Sequence, residues 1–232
     1  MTSLGDSALL VDFGNVISKE LNGIVITLFN DLNKNPFDGM IEAVPAFSSL
    51  AIYYNLITLR KKVQSANSIF AFVSELIEER IEKLEIKNLP SGKLLRIPVC
   101  YDDRFGVDLK NVAEHAGILP EEIIQLHSSR IYHVFMIGFL PGFPYMGELD
   151  DRICLPRKAN PVNVSAGSVG IAGRQTGIYP FHSPGGWQII GRTPLNIFVK
   201  EKKPPVLLAA GDQVQFYPIS YDEFENYQSG NF

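Results

Sequence analysis

A long stretch rich in Gly and Pro, residues 139–193, constrains the fold of this chain more than any other feature. Connections longer than about 15 residues are uncommon in compact domains unless they are functional or disordered. Disorder does not fit this stretch, because it keeps large apolar side chains that are stable only when mostly buried. These side chains are Phe143, Tyr145, Ile153, Leu155, Ile171, Tyr179, Phe181 and Trp187. We therefore expect the stretch to carry the function of the protein.

The segments beyond Arg130 favour a β-rich domain. Runs rich in β-branched and aromatic residues alternate there with turn-rich segments, and a closed or partly closed barrel is the economical way to pair them. The predicted strands are residues 131–139, 188–190, 196–199 and 206–216. Two short helices are expected before them, over 109–115 and 120–127, with Pro120 suited to a first helical turn.

The first part of the chain predicts a separate α+β unit. Its pattern is a strand at 8–13, a helix, two strands within 40–59, a second helix and a strand at 93–99. Apolar residues recur at helical spacing from Leu21 to Leu32 and from Ile69 to Leu84, with Ser18 as N-cap of the first helix. This order is compatible with a ferredoxin-like sandwich.

The predicted domains are a small α+β domain over 1–88 and a barrel domain over 93–232, joined by a linker at 88–92. The turn at Gly14-Asn15 would end the first strand, since both residues tolerate positive φ. Carboxylates in the first domain lie mainly on predicted helix surfaces, which indicates solvated faces rather than catalysis.

Composition excludes several classes of function. The net charge is −4, and no basic run is longer than Arg60-Lys61-Lys62, so neither nucleic acid nor an anionic membrane is expected as a partner. The two cysteines, Cys100 and Cys154, lack the spacing of a zinc site or a disulfide scaffold, so no metal is expected. The sequence shows neither a signal peptide nor a membrane-length apolar run, which favours a cytoplasmic protein.

Four ordered blocks within the Gly/Pro-rich stretch resemble the 5-oxoprolinase B-subunit family. They are GFLPGFPY at 138–145, AGSVGI at 166–171, QTGIYP at 175–180 and SPGGWQIIGRT at 183–193. The resemblance extends from Gly5-Asp6 to Pro218, nearly the whole chain. The same family is also described as sporulation-kinase inhibitors and as allophanate hydrolase subunit 1.

The resemblance implies an N-terminal α+β domain, a C-terminal cyclophilin-like barrel and direct partnership with a C subunit of related architecture. With a further partner, the A subunit, such a complex uses ATP to open the lactam of 5-oxoproline, a small-molecule substrate, to glutamate. Transfer of phosphate to the lactam oxygen would create a better leaving group, so the complex needs carboxylate recognition and oxyanion stabilisation. The resemblance identifies no catalytic residue, and the chain is expected to be inactive alone.

One segment departs from the family pattern. Members often carry a basic residue just after the proline that precedes the AGSVGI block and a second proline immediately before it, whereas this chain reads PVNVS at 161–165. Anion binding would then fall to other cations, namely Arg157, Lys158, Arg174 or Arg192.

Arg157 and Arg192 are the main candidates for binding the substrate carboxylate, because a guanidinium offers a two-pronged donor that lysine lacks. The glycines at 167–170 and 173–177 could present backbone N–H groups to a phosphate or an oxyanion. Polar side chains in the same blocks are further candidates for substrate binding: Ser168, Gln175, Thr176, Tyr179 and Thr193. Candidates for pocket walls or an interface are Phe143, Tyr145, Pro184, Gly185, Gly186 and Trp187.

Structural roles are equally open for most of these residues. The glycines also suit ordinary turns, the arginines also suit structural ion pairs, and the aromatic residues also suit a core. The histidines are expected to be structural, with His182 the least so.

Three functions remain open. The first is a component of an ATP-dependent 5-oxoproline hydrolase, or of the related allophanate system. The second is a regulatory protein that inhibits a sensor histidine kinase. The third, a peptidyl-prolyl isomerase, is suggested only by the barrel, and a fold does not define a function.

Overall fold

The computed structural model describes residues 1–14, 16–63, 68–84 and 92–227. The chain divides into two units, Met1–Ser91 and Gly92–Phe232. Asn15 and residues 88–91 of the predicted linker lie outside the described residues. None of the helices in the described ranges combines the length and apolarity needed to cross a membrane.

The first unit is an antiparallel sheet with helices packed against one face. Its elements are β1 (Thr2–Ser3), β2 (Ala8–Asp12), α1 (Lys19–Lys34), β3 (Met40–Pro45), β4 (Ser49–Tyr54), α2 (Leu56–Arg60) and α3 (Ile69–Glu82). The strand order is β1-β2-β4-β3. Side chains from strands and helices share one buried core that includes Leu9, Leu28, Ile52 and Val73.

Both long helices begin where the sequence predicts. The Ser18 Oγ accepts a hydrogen bond from the Leu21 N–H at 3.3 Å, and the Ser68 Oγ accepts one from the Ala71 N–H at 3.0 Å. Each serine thereby satisfies a backbone donor that the first helical turn leaves without a partner. Helix α2 was not predicted, because its β-branched residues are typical of a strand. The Asn55 Oδ1, which accepts from the Thr58 N–H at 3.0 Å, begins that helix.

The strand predicted at 93–99 does not complete the sheet of the first unit. It forms β5 (Leu94–Cys100), which belongs to the barrel of the second unit. The position beside β2 that a ferredoxin-like order would give to that strand is taken by the N-terminal β1. The first unit is therefore α+β, with a strand order that the linear pattern did not predict.

The second unit is built on a closed barrel of seven strands, in the order β10-β7-β6-β13-β5-β12-β9. Its elements after β5 are α4 (Leu109–Ala116), α5 (Pro120–Ser128), β6 (Ile131–Ile137), β7 (Pro144–Gly147), β8 (Val162–Val164), β9 (Ser168–Ala172), β10 (Gln175–Ile178), β11 (Ser183–Gly185), β12 (Gln188–Arg192), β13 (Gln213–Ile219) and α6 (Tyr221–Asn226), with a short 3-10 helix at Asp151–Ile153. The predicted barrel is confirmed.

The first and last barrel strands, β5 and β13, pair in parallel along their whole length. In this register Ile97 lies beside Phe216, and both are fully buried. They share the barrel core with Val134, Ile171 and Ile190.

The Gly/Pro-rich stretch is more regular than its composition indicates. It contains six short strands, β7 to β12, and β8 with β11 forms a two-stranded ribbon separate from the barrel. Two predicted strands are wrong in extent. Residues 196–199 contribute only a single bridge, Phe198 with Val206, and β13 begins at Gln213 rather than at 206. Pro204 and Pro205 lack the N–H groups that a longer strand pair would require.

Candidate functional site

Strand β11, the segment before β8 and the loop before β7 line a cavity of about 460 Å³, which we call the Arg157 cavity. Its volume lies in the range of small-molecule sites, about 300–1,000 Å³. The walls are mostly apolar and carry few polar groups. They are formed by Phe139, Leu140, Tyr145, Arg157, Lys158, Ala159, Pro161, Tyr179, Ser183, Pro184, Gly185, Gly186 and Trp187.

Phe143 packs against three of the aromatic residues that line this cavity. It is buried, and its ring meets those of Tyr145, Tyr179 and Trp187 edge to face, at centroid distances of 4.9, 5.1 and 5.3 Å. Such edge-to-face pairs are favourable beyond the area that they bury. A side chain at Gly185 would overlap the Tyr179 hydroxyl, so the ribbon can approach this cluster only with glycine there. This wall of the cavity is therefore closely packed.

The two cations of the cavity differ in their partners. The Lys158 Nζ lies 2.6 Å from the Asp108 Oδ2, which also accepts from the Ile189 N–H at 2.6 Å. Lys158 is thus neutralised and holds the cavity to the barrel. Arg157 is exposed and forms no ion pair within the described residues, and its Cζ lies 6.0 Å from the Trp187 ring centroid. Arg157 is the cation available to an anionic ligand.

Two further residues at the cavity were not predicted from the sequence. The Ser183 Oγ is buried without a hydrogen-bond partner in the described part of the chain, so it retains its hydrogen-bonding capacity for a ligand. Phe139 has a φ of 65° and is 64% exposed, and its ring lies edge-on to Phe143 at 5.8 Å. A bulky residue rarely adopts positive φ, and such strain clusters at functional sites. No pattern in the sequence indicates either property.

Burial raises the pKa of the Tyr145 and Tyr179 hydroxyls, and the positive charge of Arg157 opposes that rise only in part. A backbone hydrogen bond from Trp187 also opposes the rise in the pKa of Tyr179. Both tyrosines are therefore neutral at physiological pH.

Arg192 and Thr193 lie in a second, more polar cavity of about 270 Å³, which we call the Arg192 cavity. The Arg192 Nε donates to the Ala166 carbonyl oxygen at 2.8 Å. Thr193 is buried, and its Oγ1 accepts from the Leu195 N–H at 3.3 Å. The structure therefore does not bring the two predicted carboxylate-binding arginines, Arg157 and Arg192, to one cavity.

The remaining polar candidates line neither of these two cavities. Ser168 is buried at the start of β9, paired with Arg192, and Gln175 begins β10, where it pairs with Ala172 and Gly147. Thr176 is fully buried inside the barrel. All three residues lie in paired strands of the barrel.

The glycines do not form the predicted anion cradle. The Gly167 N–H donates to the Tyr179 carbonyl at 2.7 Å, and the Gly173 N–H donates to the Leu155 carbonyl at 2.6 Å. Gly170 and Gly177 face each other in the β9–β10 pair. The φ of 80° at Gly167 shows instead that glycine serves a turn there.

Thr176 belongs to a buried hydrogen-bond chain through His127. The Thr176 hydroxyl donates to the Gly170 carbonyl at 3.2 Å, so its oxygen accepts from the His127 Nε2 at 2.9 Å. The His127 Nδ1 then accepts from the Tyr101 hydroxyl at 2.7 Å. These partners select the neutral Nε2–H tautomer, and burial lowers the pKa of His127 to about 3. His127 is structural, as predicted.

The chain combines an α+β unit with a closed barrel, and the barrel unit carries a cavity of small-molecule size. This chain also matches a known domain class. Residues 1–208 match the family model "Carboxyltransferase domain, subdomain C and D", and the chain belongs to that family.

Within this class the chain belongs to the 5-oxoprolinase B-subunit family. It is 44% identical to the 5-oxoprolinase B subunit of Bacillus subtilis (strain 168), over 97% of this chain and 95% of that protein. It is 38% identical to the 5-oxoprolinase B subunit of Escherichia coli O157:H7, over 77% of this chain and 78% of that protein. The solved structure of TTHA0988 shares 33% identity and superimposes with a TM-score of 0.78 over 92% of this chain, which spans about 40% of that longer protein.

Proposed function

We propose that this chain is the B subunit of a cytoplasmic, ATP-dependent 5-oxoprolinase that opens 5-oxoproline to glutamate together with the A and C subunits. The observation that carries the proposal is the 44% identity to a 5-oxoprolinase B subunit over almost the full length of both chains. The Arg157 cavity offers a cation for the carboxylate of such a substrate.

The Arg157 cavity suits the substrate in size and in charge. 5-Oxoproline is a small lactam ring that carries one carboxylate, and Arg157 is a cation without an internal acid partner in the described residues. The guanidinium would bind the carboxylate through two parallel hydrogen bonds. The rings of Tyr145 and Trp187 would pack against the apolar ring atoms, and the Ser183 hydroxyl would bond to the lactam group.

In this proposal, the assembled complex transfers phosphate to the lactam oxygen. This chain would hold the substrate, and the partner subunits would supply the ATP site and the groups that promote hydrolysis. Apolar side chains stand exposed beside the cavity, with Phe139 64% and Val162 44% accessible. The C subunit would cover these side chains, which accounts for a chain that is inactive alone.

The test is 5-oxoproline-dependent ADP release by the A and C subunits with this chain present, omitted or substituted. We expect release to require the chain. Arg157→Gln should raise KM for 5-oxoproline by about tenfold or more, because a charge-assisted pair contributes about 1.5–3 kcal/mol. Arg96→Gln is the matched control, since that exposed arginine lies over Tyr217, away from either cavity.

ADP release that is indifferent to the chain would refute the proposal. The kinase-inhibitor hypothesis would then be tested by kinase autophosphorylation with saturating chain. The allophanate hypothesis would be tested by exchanging the substrate in the same assay, and the isomerase hypothesis with a proline peptide.

A further inference from the structure

The Arg192 cavity has no part in the proposed function, yet it holds a fixed cation. The Nε hydrogen bond to Ala166 anchors one edge of the guanidinium. The Arg192 Cζ lies 5.6 Å from the ring centroid of Phe105 and 5.9 Å from that of Phe224. Attraction between a cation and aromatic rings further restrains the side chain. The guanidinium is thereby held in one place before any ligand arrives.

This cation is partly buried and unpaired. Arg192 is half-buried, and no carboxylate of the described residues lies within ion-pair distance of it. Its two terminal nitrogens also donate no hydrogen bond to those residues. A partly desolvated charge is unfavourable without a counterion, and a free guanidinium edge matches a carboxylate. The cavity therefore selects an anion.

A carboxylate of the chain lines the same cavity. Glu225 lies in α6, and it forms no ion pair with any cation of the described ranges. Phe224, its neighbour in that helix, packs on Phe105 at 4.4 Å, which holds α6 beside Arg192. One cation and one anion thus face a single polar space without pairing with each other. A ligand that carries only negative charge would meet Glu225 unfavourably, whereas a ligand with both a carboxylate and an ammonium group would complement Arg192 and Glu225.

The dimensions agree with a small zwitterion. The Arg192 cavity, at about 270 Å³, is smaller than the Arg157 cavity, at about 460 Å³. Asn196 supplies a further polar group to its wall.

We propose that the Arg192 cavity binds a free α-amino acid, with the carboxylate on Arg192 and the ammonium group directed to Glu225. The site is distinct from the Arg157 cavity. Glutamate, the product of the proposed reaction, is one such ligand, and only that choice rests on the proposed function.

Calorimetric titration of the full chain tests this proposal with L-alanine, with propionate, which lacks the ammonium group, and with L-glutamate. We expect L-alanine to bind about two- to fivefold more tightly than propionate, because a pair between the ammonium group and the exposed Glu225 contributes about 0.2–1 kcal/mol. Arg192→Gln should weaken L-alanine binding by about tenfold or more. Glu225→Gln should remove the preference for L-alanine over propionate.

Arg96→Gln serves as the matched control and should bind L-alanine as the natural chain does. Equal affinity for L-alanine and propionate would overturn the zwitterion assignment. Full binding by Arg192→Gln, or loss of binding in Arg157→Gln, would overturn the location. Glu225 is exposed on its helix, so Glu225→Gln is informative even if Arg192→Gln does not fold. Binding requires neither ATP nor the partner proteins, so failure here and failure of the hydrolase assay are separate results.

Discussion

Replacing His127 with glutamine should remove a pH dependence from the stability of the barrel unit. Glutamine keeps one donor and one acceptor for the partners of the imidazole, the hydroxyls of Thr176 and Tyr101, but it does not titrate. In the folded chain burial holds the pKa of His127 at about 3, compared with an ordinary value of 6.5. Below pH 6.5 the unfolded chain therefore binds a proton that the folded chain excludes.

The sign and size of the effect follow from this difference in proton binding. The contribution of His127 is complete above the unfolded pKa of 6.5 and decreases as the pH falls. Between about pH 7.5 and about pH 5, it lowers the free energy of unfolding by about 2 kcal/mol. That value barely changes if the folded pKa is about 4 instead of about 3, because both lie below the range measured.

Urea unfolding at several pH values, followed by the fluorescence of the single tryptophan, Trp187, measures this effect in the barrel unit. His127→Gln also loses the stacking of His127 on Phe216, at a centroid distance of 4.6 Å. This loss changes the free energy of unfolding by an amount that does not depend on pH. The free energy of unfolding of the natural chain minus that of His127→Gln is free of the titration of the other histidines, which both proteins share. This difference should fall by about 2 kcal/mol from about pH 7.5 to about pH 5. A difference that stays constant would refute the buried, neutral imidazole.

Three further substitutions test the site and the fold. Gly185→Ala should destabilise the barrel unit by about 1–3 kcal/mol in urea unfolding, because the added methyl group overlaps the Tyr179 hydroxyl; unchanged stability would contradict the close approach. Asp108→Asn should cost about 1–3 kcal/mol in the same assay, since it removes the charge that pairs with Lys158, and no loss would show that the pair is dispensable. Ser68→Ala should lower the stability of helix α3 by about 1 kcal/mol, because it removes the N-cap hydrogen bond. Amide hydrogen exchange in the first turn of α3 should become faster, and unaltered exchange there would argue against the cap.

The sequence predicted elements wherever local chemistry determines them. Ser18 was expected as the N-cap of α1 because its hydroxyl can satisfy a nearby backbone donor, and the spacing of apolar residues indicated the buried face of both long helices. The same reasoning missed α2, where β-branched residues follow the cap at Asn55. It also placed β5 beside the first unit, because strand partners are chosen by contacts distant in sequence.

The candidate site was predictable in composition but not in arrangement. Arg192 lies in the last motif block, and Arg157 lies between the first two blocks. Both arginines are chemically suited to bind a carboxylate. Their separation follows from strand register: Arg192 ends β12 on the barrel wall, whereas Arg157 precedes the ribbon outside it. The buried, unsatisfied Ser183 hydroxyl depends on the packing around it, which no local pattern encodes.

The parallel pairing of β5 with β13 bears on synthesis of the protein. β5 is the earliest barrel strand in the sequence and β13 the latest, and the Lys93 N–H meets the Asp212 Oδ1 across 119 positions. Such non-local contacts are slow to form, because much of the chain must first be ordered. Until the ribosome has released β13, the growing chain exposes two open strand edges, which are templates for association with other chains. The barrel unit is therefore expected to depend on chaperones until its last strand is inserted.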